Sequence, residues 1–79
     1  MYKVRLTKIR SNHNNLRSNI IVGETNELPK VGEGFQMLSE GIDFGTRHVW
    51  TSPIKHLEKM NNTYQFNTEN SVYKLEILN

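Results

Sequence analysis

The chain contains no cysteine, and this absence removes several kinds of site at once. Without thiols there is no disulfide to stabilise the fold, no cysteine-based zinc site and no thiol nucleophile. The 79 residues are expected to form one domain, residues 1–79. A chain of this size buries only roughly 60–65% of its unfolded surface, so its core must be small.

Long apolar runs are also absent. The first residues alternate charged and apolar side chains, which does not match the continuous apolar segment of a signal peptide. No stretch approaches the roughly 18 consecutive apolar residues that a membrane-spanning helix requires. The sequence therefore predicts a soluble, cytoplasmic protein with no membrane partner.

Short alternating segments take the place of long runs. They predict an all-β fold, a small barrel or sandwich of five to six mostly antiparallel strands with little helix. Six segments carry the pattern: 2–9, 19–27, 35–39, 47–51, 63–68 and 72–78.

The phase of the alternation predicts which side chains enter the core. Phe35, Met37, Tyr64 and Phe66 fall on the inward phase of their strands, together with the three apolar residues Tyr73, Leu75 and Ile77. Trp50 falls opposite Val49 in phase, so it is exposed if Val49 faces inward. Ile9 breaks the phase of the first strand, which predicts either a bulge or the end of the strand near Lys8.

Residues 52–60 admit two interpretations. Ser52 followed by Pro53 is good chemistry for the start of a short helix that would end at Met60. Alternatively, the strand continues past Pro53 through Glu58 and a hairpin closes at Asn61 and Asn62. We favour the strand.

Charge is segregated along the chain. Residues 1–23 carry five Lys or Arg and no acid, whereas residues 24–43 carry five acids and one lysine. A basic face and an acidic face would suit an oriented encounter with a charged partner. Pairing of opposite charges across neighbouring strands explains the same pattern without any function.

The basic first third suggests a nucleic-acid interface. Small barrels that bind single strands combine a basic groove with exposed aromatic residues. Basic residues on an edge strand also prevent aggregation, which is the competing explanation. The residues that would contact nucleic acid, or another anion, are Lys3, Arg5, Lys8, Arg10, His13 and Arg17.

Catalytic and metal sites are not expected. His13, His48 and His56 do not have the spacing of a zinc site. Ser52 has histidines and Asp43 near it in sequence, but catalytic triads are recognised by geometry and the nucleophile-elbow motif is missing. We predict a protein that is not an enzyme and has no cofactor.

A second candidate interface is centred on the single tryptophan. Tryptophan and arginine are the residues that most often anchor protein interfaces. The neighbouring loop, 40–46, places two apolar residues in a polar setting, where they form either a lid on the barrel or an exposed contact patch. This interface, for a protein or an anionic ligand, comprises Ile42, Phe44, Arg47, His48 and Trp50. Assembly into a homo-oligomer would enlarge the small core.

Three segments, Leu28–Phe35, Arg47–Ile54 and Phe66–Leu75, together resemble short hypothetical proteins of phages and mobile elements. The shared pattern is P-x-V-G-x-x-F, then T-S-x-I, then F-x-T-x-N-S-x-Y-x-L. The resemblance carries over no catalytic or binding residue. It implies a phage-type accessory protein or inhibitor in the host cytoplasm, which engages a host protein or defence component or sequesters its signal ligand.

Overall fold

A computed structural model describes residues 1–11, 20–40 and 46–79, which form one antiparallel sheet of seven strands in the order β4-β3-β2-β1-β7-β6-β5. No helix of these residues is long and apolar enough to cross a membrane. The strands are β1 (Tyr2–Ser11), β2 (Ile20–Thr25), β3 (Gly34–Glu40), β4 (Thr46–Pro53), β5 (His56–Met60), β6 (Thr63–Asn67) and β7 (Ser71–Ile77). The all-β prediction is confirmed.

The two edge strands of the sheet, β4 and β5, are consecutive in the chain. Only Ile54 and Lys55 separate them, so residues 46–60 run as one bent strand that pairs first with β3 and then with β6. Because so short a link joins the opposite edges, the sheet must curl into a half-barrel. The predicted continuation of the strand beyond Pro53 is confirmed, and the bend explains why the structure has seven strands rather than six.

The helical interpretation of residues 52–60 is wrong because strand pairing takes up this segment on both sides of the bend. Pro53 lies opposite Gly34 at the end of β4. Residues 56–60 pair in register with 63–67, and Asn61, with a φ of 55°, makes the tight turn between them. Asparagine tolerates this left-handed conformation better than most residues.

Ile54 fixes the bend. Its side chain is only 1% exposed. Its backbone N–H donates to the Glu33 carbonyl at 3.0 Å, and its carbonyl accepts from the Gly32 N–H at 2.8 Å. The Lys55 N–H then donates to the Asn67 carbonyl at 2.8 Å. The bend is therefore hydrogen-bonded both to the β2–β3 connection and to β6.

The core occupies the concave face of the curled sheet. The Phe66 ring on β6 lies 5.9 Å from the Phe35 ring on β3 and 5.2 Å from Tyr73 on β7. Since three strands separate β3 from β6 in the sheet, the first contact shows how far the sheet curls. The core residues are Val4, Leu6, Phe35, Met37, Ile54, Tyr64, Phe66 and Leu75.

The alternation predicted the core residues of β3, β6 and β7 correctly, whereas Ile54 was not predicted and Tyr2, on the inward phase of β1, is exposed. Tyr73 and Ile77 pack against the core while remaining partly exposed. The expected irregularity in β1 is also present, as a register shift between Lys8 and Arg10 in the pairing with β7.

Within the described residues, the seam between β2 and β3 is short and consists of two residue pairs, Gly23 with Ser39 and Glu24 with Leu38. Gly23 is required there, because a Cβ atom at this position would lie 2.0 Å from the Leu38 carbonyl oxygen. After Glu24 the chain leaves β3, and this departure creates the groove described below.

Replacing Ile54 with alanine should lower the free energy of unfolding by about 2–5 kcal/mol, because a cavity replaces a fully buried side chain at the bend. Met60→Ala is the matched control. Met60 is 76% exposed on β5, so its loss should change stability by less than about 0.5 kcal/mol. Urea unfolding followed by circular dichroism measures both, and similar losses for the two variants would contradict the role assigned to Ile54.

Candidate binding surface

The largest exposed aromatic side chain is that of Trp50, on the convex face of the half-barrel. Its side chain is 68% exposed. Val49, the preceding residue, lies opposite the buried Met37 and packs against the core, so Trp50 must point outward. The exposure predicted from the phase of the strand is confirmed.

A ring contact holds Trp50 in place on this open surface. The His48 ring lies on the same face of β4, with its centroid 4.6 Å from that of Trp50 and the two planes tilted by 57°. On β3, Gln36 lies opposite Trp50 and Leu38 lies opposite His48. We refer to these four residues, Gln36, Leu38, His48 and Trp50, as the Trp50 surface.

Two of the four residues were among the predicted contact residues, and two were missed. His48 and Trp50 were predicted. Leu38 and Gln36 were missed, although the inward phase of Phe35 and Met37 places both on the outward side of β3. An apolar residue on the outward phase, such as Leu38, was the signal available in the sequence.

The other predicted contact residues are only partly accounted for. The backbone of Arg47, in β4, pairs with Ser39 of β3, but the Arg47 side chain lies outside the described part of the structure. Ile42 and Phe44 lie outside the described residues altogether.

A groove of about 730 Å³ adjoins the Trp50 surface and shares Gln36, Leu38 and His48 with it. One wall is β3 and the other is the segment 24–30 that follows the short β2–β3 seam. The Thr25 hydroxyl links the two walls at the end of the seam. It lies 2.8 Å from the Glu27 carbonyl oxygen and 2.9 Å from that of Gln36.

The rim of the groove is acidic. Glu24, Glu27 and Glu33 line it together with one base, Lys30. All four residues are exposed. Among the described residues, none of the three glutamates takes part in an ion pair.

The predicted basic ribbon does not form one surface within the described residues. Residues paired across an antiparallel ladder share a face. Arg5 lies opposite Glu76 on the convex side, whereas Lys8 lies opposite Tyr73 on the concave side, with its Nζ 5.6 Å from the Tyr73 ring centroid. Arg10, beyond the bulge, lies opposite Val72.

The basic residues of the convex face lie close to or opposite carboxylates. The Arg5 guanidinium donates to both carboxylate oxygens of Glu76, at 3.2 and 3.3 Å, and Lys74 Nζ lies 3.8 Å from the same carboxylate. Lys3 lies opposite Glu24. This arrangement matches cross-strand pairing of opposite charges.

The edge-strand explanation of the basic residues is wrong, because β1 is the central strand of the sheet. Strong pairing with both β2 and β7 places it there. His13 and Arg17, the remaining members of the predicted basic set, lie outside the described residues.

Within the described part of the chain, no three His, Cys, Asp or Glu side chains come together to hold a metal ion. His56 Nε2 lies 3.3 Å from Glu58 Oε1 on exposed β5, and His48 contacts Trp50. Ser52 is exposed on β4, and Asp43 lies outside the described residues. That the protein is not an enzyme stays a prediction.

Comparison of the chain with protein-family models, with curated proteins and with solved structures gave no significant match. The resemblance to phage proteins therefore stays a prediction.

Trp50→Ala should change the free energy of unfolding by no more than about 1 kcal/mol, because the side chain is mostly exposed and loses one ring contact. Urea unfolding followed by circular dichroism measures this. A loss as large as that expected for Ile54→Ala would instead make Trp50 a structural residue.

Proposed function

We propose that this protein is a non-catalytic, phage-type accessory protein or inhibitor that acts by binding a host protein through the Trp50 surface. One observation carries the proposal. A large aromatic side chain on β4 is 68% exposed, where it contributes little to the core.

An exposed tryptophan can contribute a large part of the free energy of binding. Burying tryptophan in a partner's pocket removes a large apolar area from water, and its indole N–H can form a hydrogen bond at the same time. The ring contact with His48 limits the conformations of Trp50 before binding, so less entropy is lost when the complex forms. Leu38 extends the apolar area beside it.

The alternative, a nucleic-acid-binding barrel, has less support. Binding of nucleic acid requires basic side chains that can contact the phosphates of its backbone. Here Arg5 is paired with Glu76, Lys8 faces the other side of the sheet, and the groove beside Trp50 carries three carboxylates. The same carboxylates disfavour capture of an anionic signal ligand in that groove, which leaves a protein as the better partner.

Binding to single- or double-stranded DNA or RNA is expected to be weak, with a Kd above about 100 μM at physiological salt, the weak end of non-specific binding. Fluorescence anisotropy with labelled oligonucleotides at two salt concentrations measures it. Tight binding that weakens steeply with salt would make the basic residues of β1 the functional surface and replace the present proposal.

Capture from host lysate tests the proposal directly. The wild-type protein and Met60→Ala should retain the same partner in stoichiometric amounts, whereas Trp50→Ala should weaken binding by about 2 kcal/mol or more, as expected for an interface anchor. Met60 is a suitable control because it is also apolar and highly exposed, but lies on the opposite edge of the sheet. Equal capture by all three proteins, confirmed by titration with the purified partner, would reject the Trp50 surface.

A further inference from the structure

We infer that the groove beside Trp50 accepts an extended, arginine-containing segment of the partner protein. This inference rests on the proposed function and names the chemistry of the partner. It is supported by three properties of the described residues: the shape of the groove, the charge of its rim and the aromatic side chain of Trp50, which is a neighbour of two lining residues.

The shape suits an extended chain. The groove lies between β3 and the segment 24–30, so its length follows a strand. Its volume of about 730 Å³ falls within the range of ligand sites, roughly 300–1,000 Å³. Partner segments that lie beside a strand bind in extended conformation, with alternate side chains entering the groove.

The charge of the rim selects a cation. Glu24, Glu27 and Glu33 line the groove with Lys30, and Lys3 lies opposite Glu24 in the β1–β2 ladder. Among the described residues, no ion pair includes any of the three carboxylates, and Glu27 and Glu33 have no cross-strand lysine or arginine opposite them. Carboxylates that line a groove attract a basic segment and repel an acidic one. An anionic partner, including nucleic acid, is disfavoured by the same argument.

Trp50 favours arginine over lysine. A guanidinium group forms two parallel hydrogen bonds with a carboxylate and also stacks on aromatic faces, whereas an ammonium group does neither as well. The Trp50 ring lies next to Gln36 and His48, which line the groove, so a neighbouring arginine of the same segment can reach it. Leu38 offers an apolar contact for the aliphatic part of the side chain.

Titration with a short, fluorescein-labelled peptide in which arginine alternates with valine tests the inference. The wild-type protein should bind this peptide, and a peptide of the same length with glutamine in place of arginine should bind at least about tenfold more weakly. Reversing two rim charges, Glu27→Lys with Glu33→Lys, should weaken binding of the arginine peptide by about tenfold or more.

A second double variant, Glu58→Lys with Glu69→Lys, is the matched control. It changes the net charge by the same amount, but both residues are exposed and neither lines the groove. Its effect on binding should be less than about twofold. Circular dichroism establishes that both double variants are folded before they are compared.

Three outcomes would overturn the inference. The first is that the arginine and glutamine peptides bind alike, which would show that the groove does not select a cation. The second is that the two double variants weaken binding equally, which would indicate a general effect of net charge. The third is that sedimentation shows a dimer that the rim reversal dissociates, because a second copy of the chain would then occupy the groove. Each result could stand beside Trp50-dependent capture of a host protein, so the failure of this inference is distinguishable from failure of the proposed function.

Discussion

One continuous segment forms both edge strands of the sheet, and the rest of the structure depends on this constraint. Residues 46–60 pair with β3, turn at Ile54 and then pair with β6. The sheet can satisfy both pairings only by curling, which brings Phe35 and Phe66 together on the concave side. A chain of 79 residues without cysteine has a small core and no disulfide, so its stability depends strongly on the contacts that this bend makes possible.

The same constraint decides where a partner can bind. Curling turns the inward side chains of β4 toward the core and leaves the outward ones, His48 and Trp50, on a convex surface. The bend is also hydrogen-bonded to Gly32 and Glu33, and the segment 24–30 that precedes them forms one wall of the groove. The bend and the groove are therefore connected through the β2–β3 connection.

Alternation along each strand is a local property, and sequence predicted what depends on it: the inward Phe66, the outward Trp50 and the irregularity near Lys8. The position of β1 at the centre of the sheet depends on pairings between distant segments, which alternation does not encode. For that reason the basic residues of β1 suggested one ribbon, although the register places Arg5 beside Glu76 and Lys8 on the other face. The groove could not be predicted either, because it depends on where the segment 24–30 parts from β3, which the alternation does not encode.

The two-pair seam between β2 and β3 has a consequence for the energetics of recognition. The β3–β4 hairpin, which carries the Trp50 surface, is joined to the rest of the sheet by fewer backbone pairs than any other neighbouring strands in the described part of the fold. Packing of Phe35, Met37 and Val49 against the core and the hydrogen bonds of Ile54 at the bend also hold this hairpin in place. A segment lying in the groove would bridge the gap that the backbone leaves open, and by mass action it would raise the melting temperature of the protein that it binds.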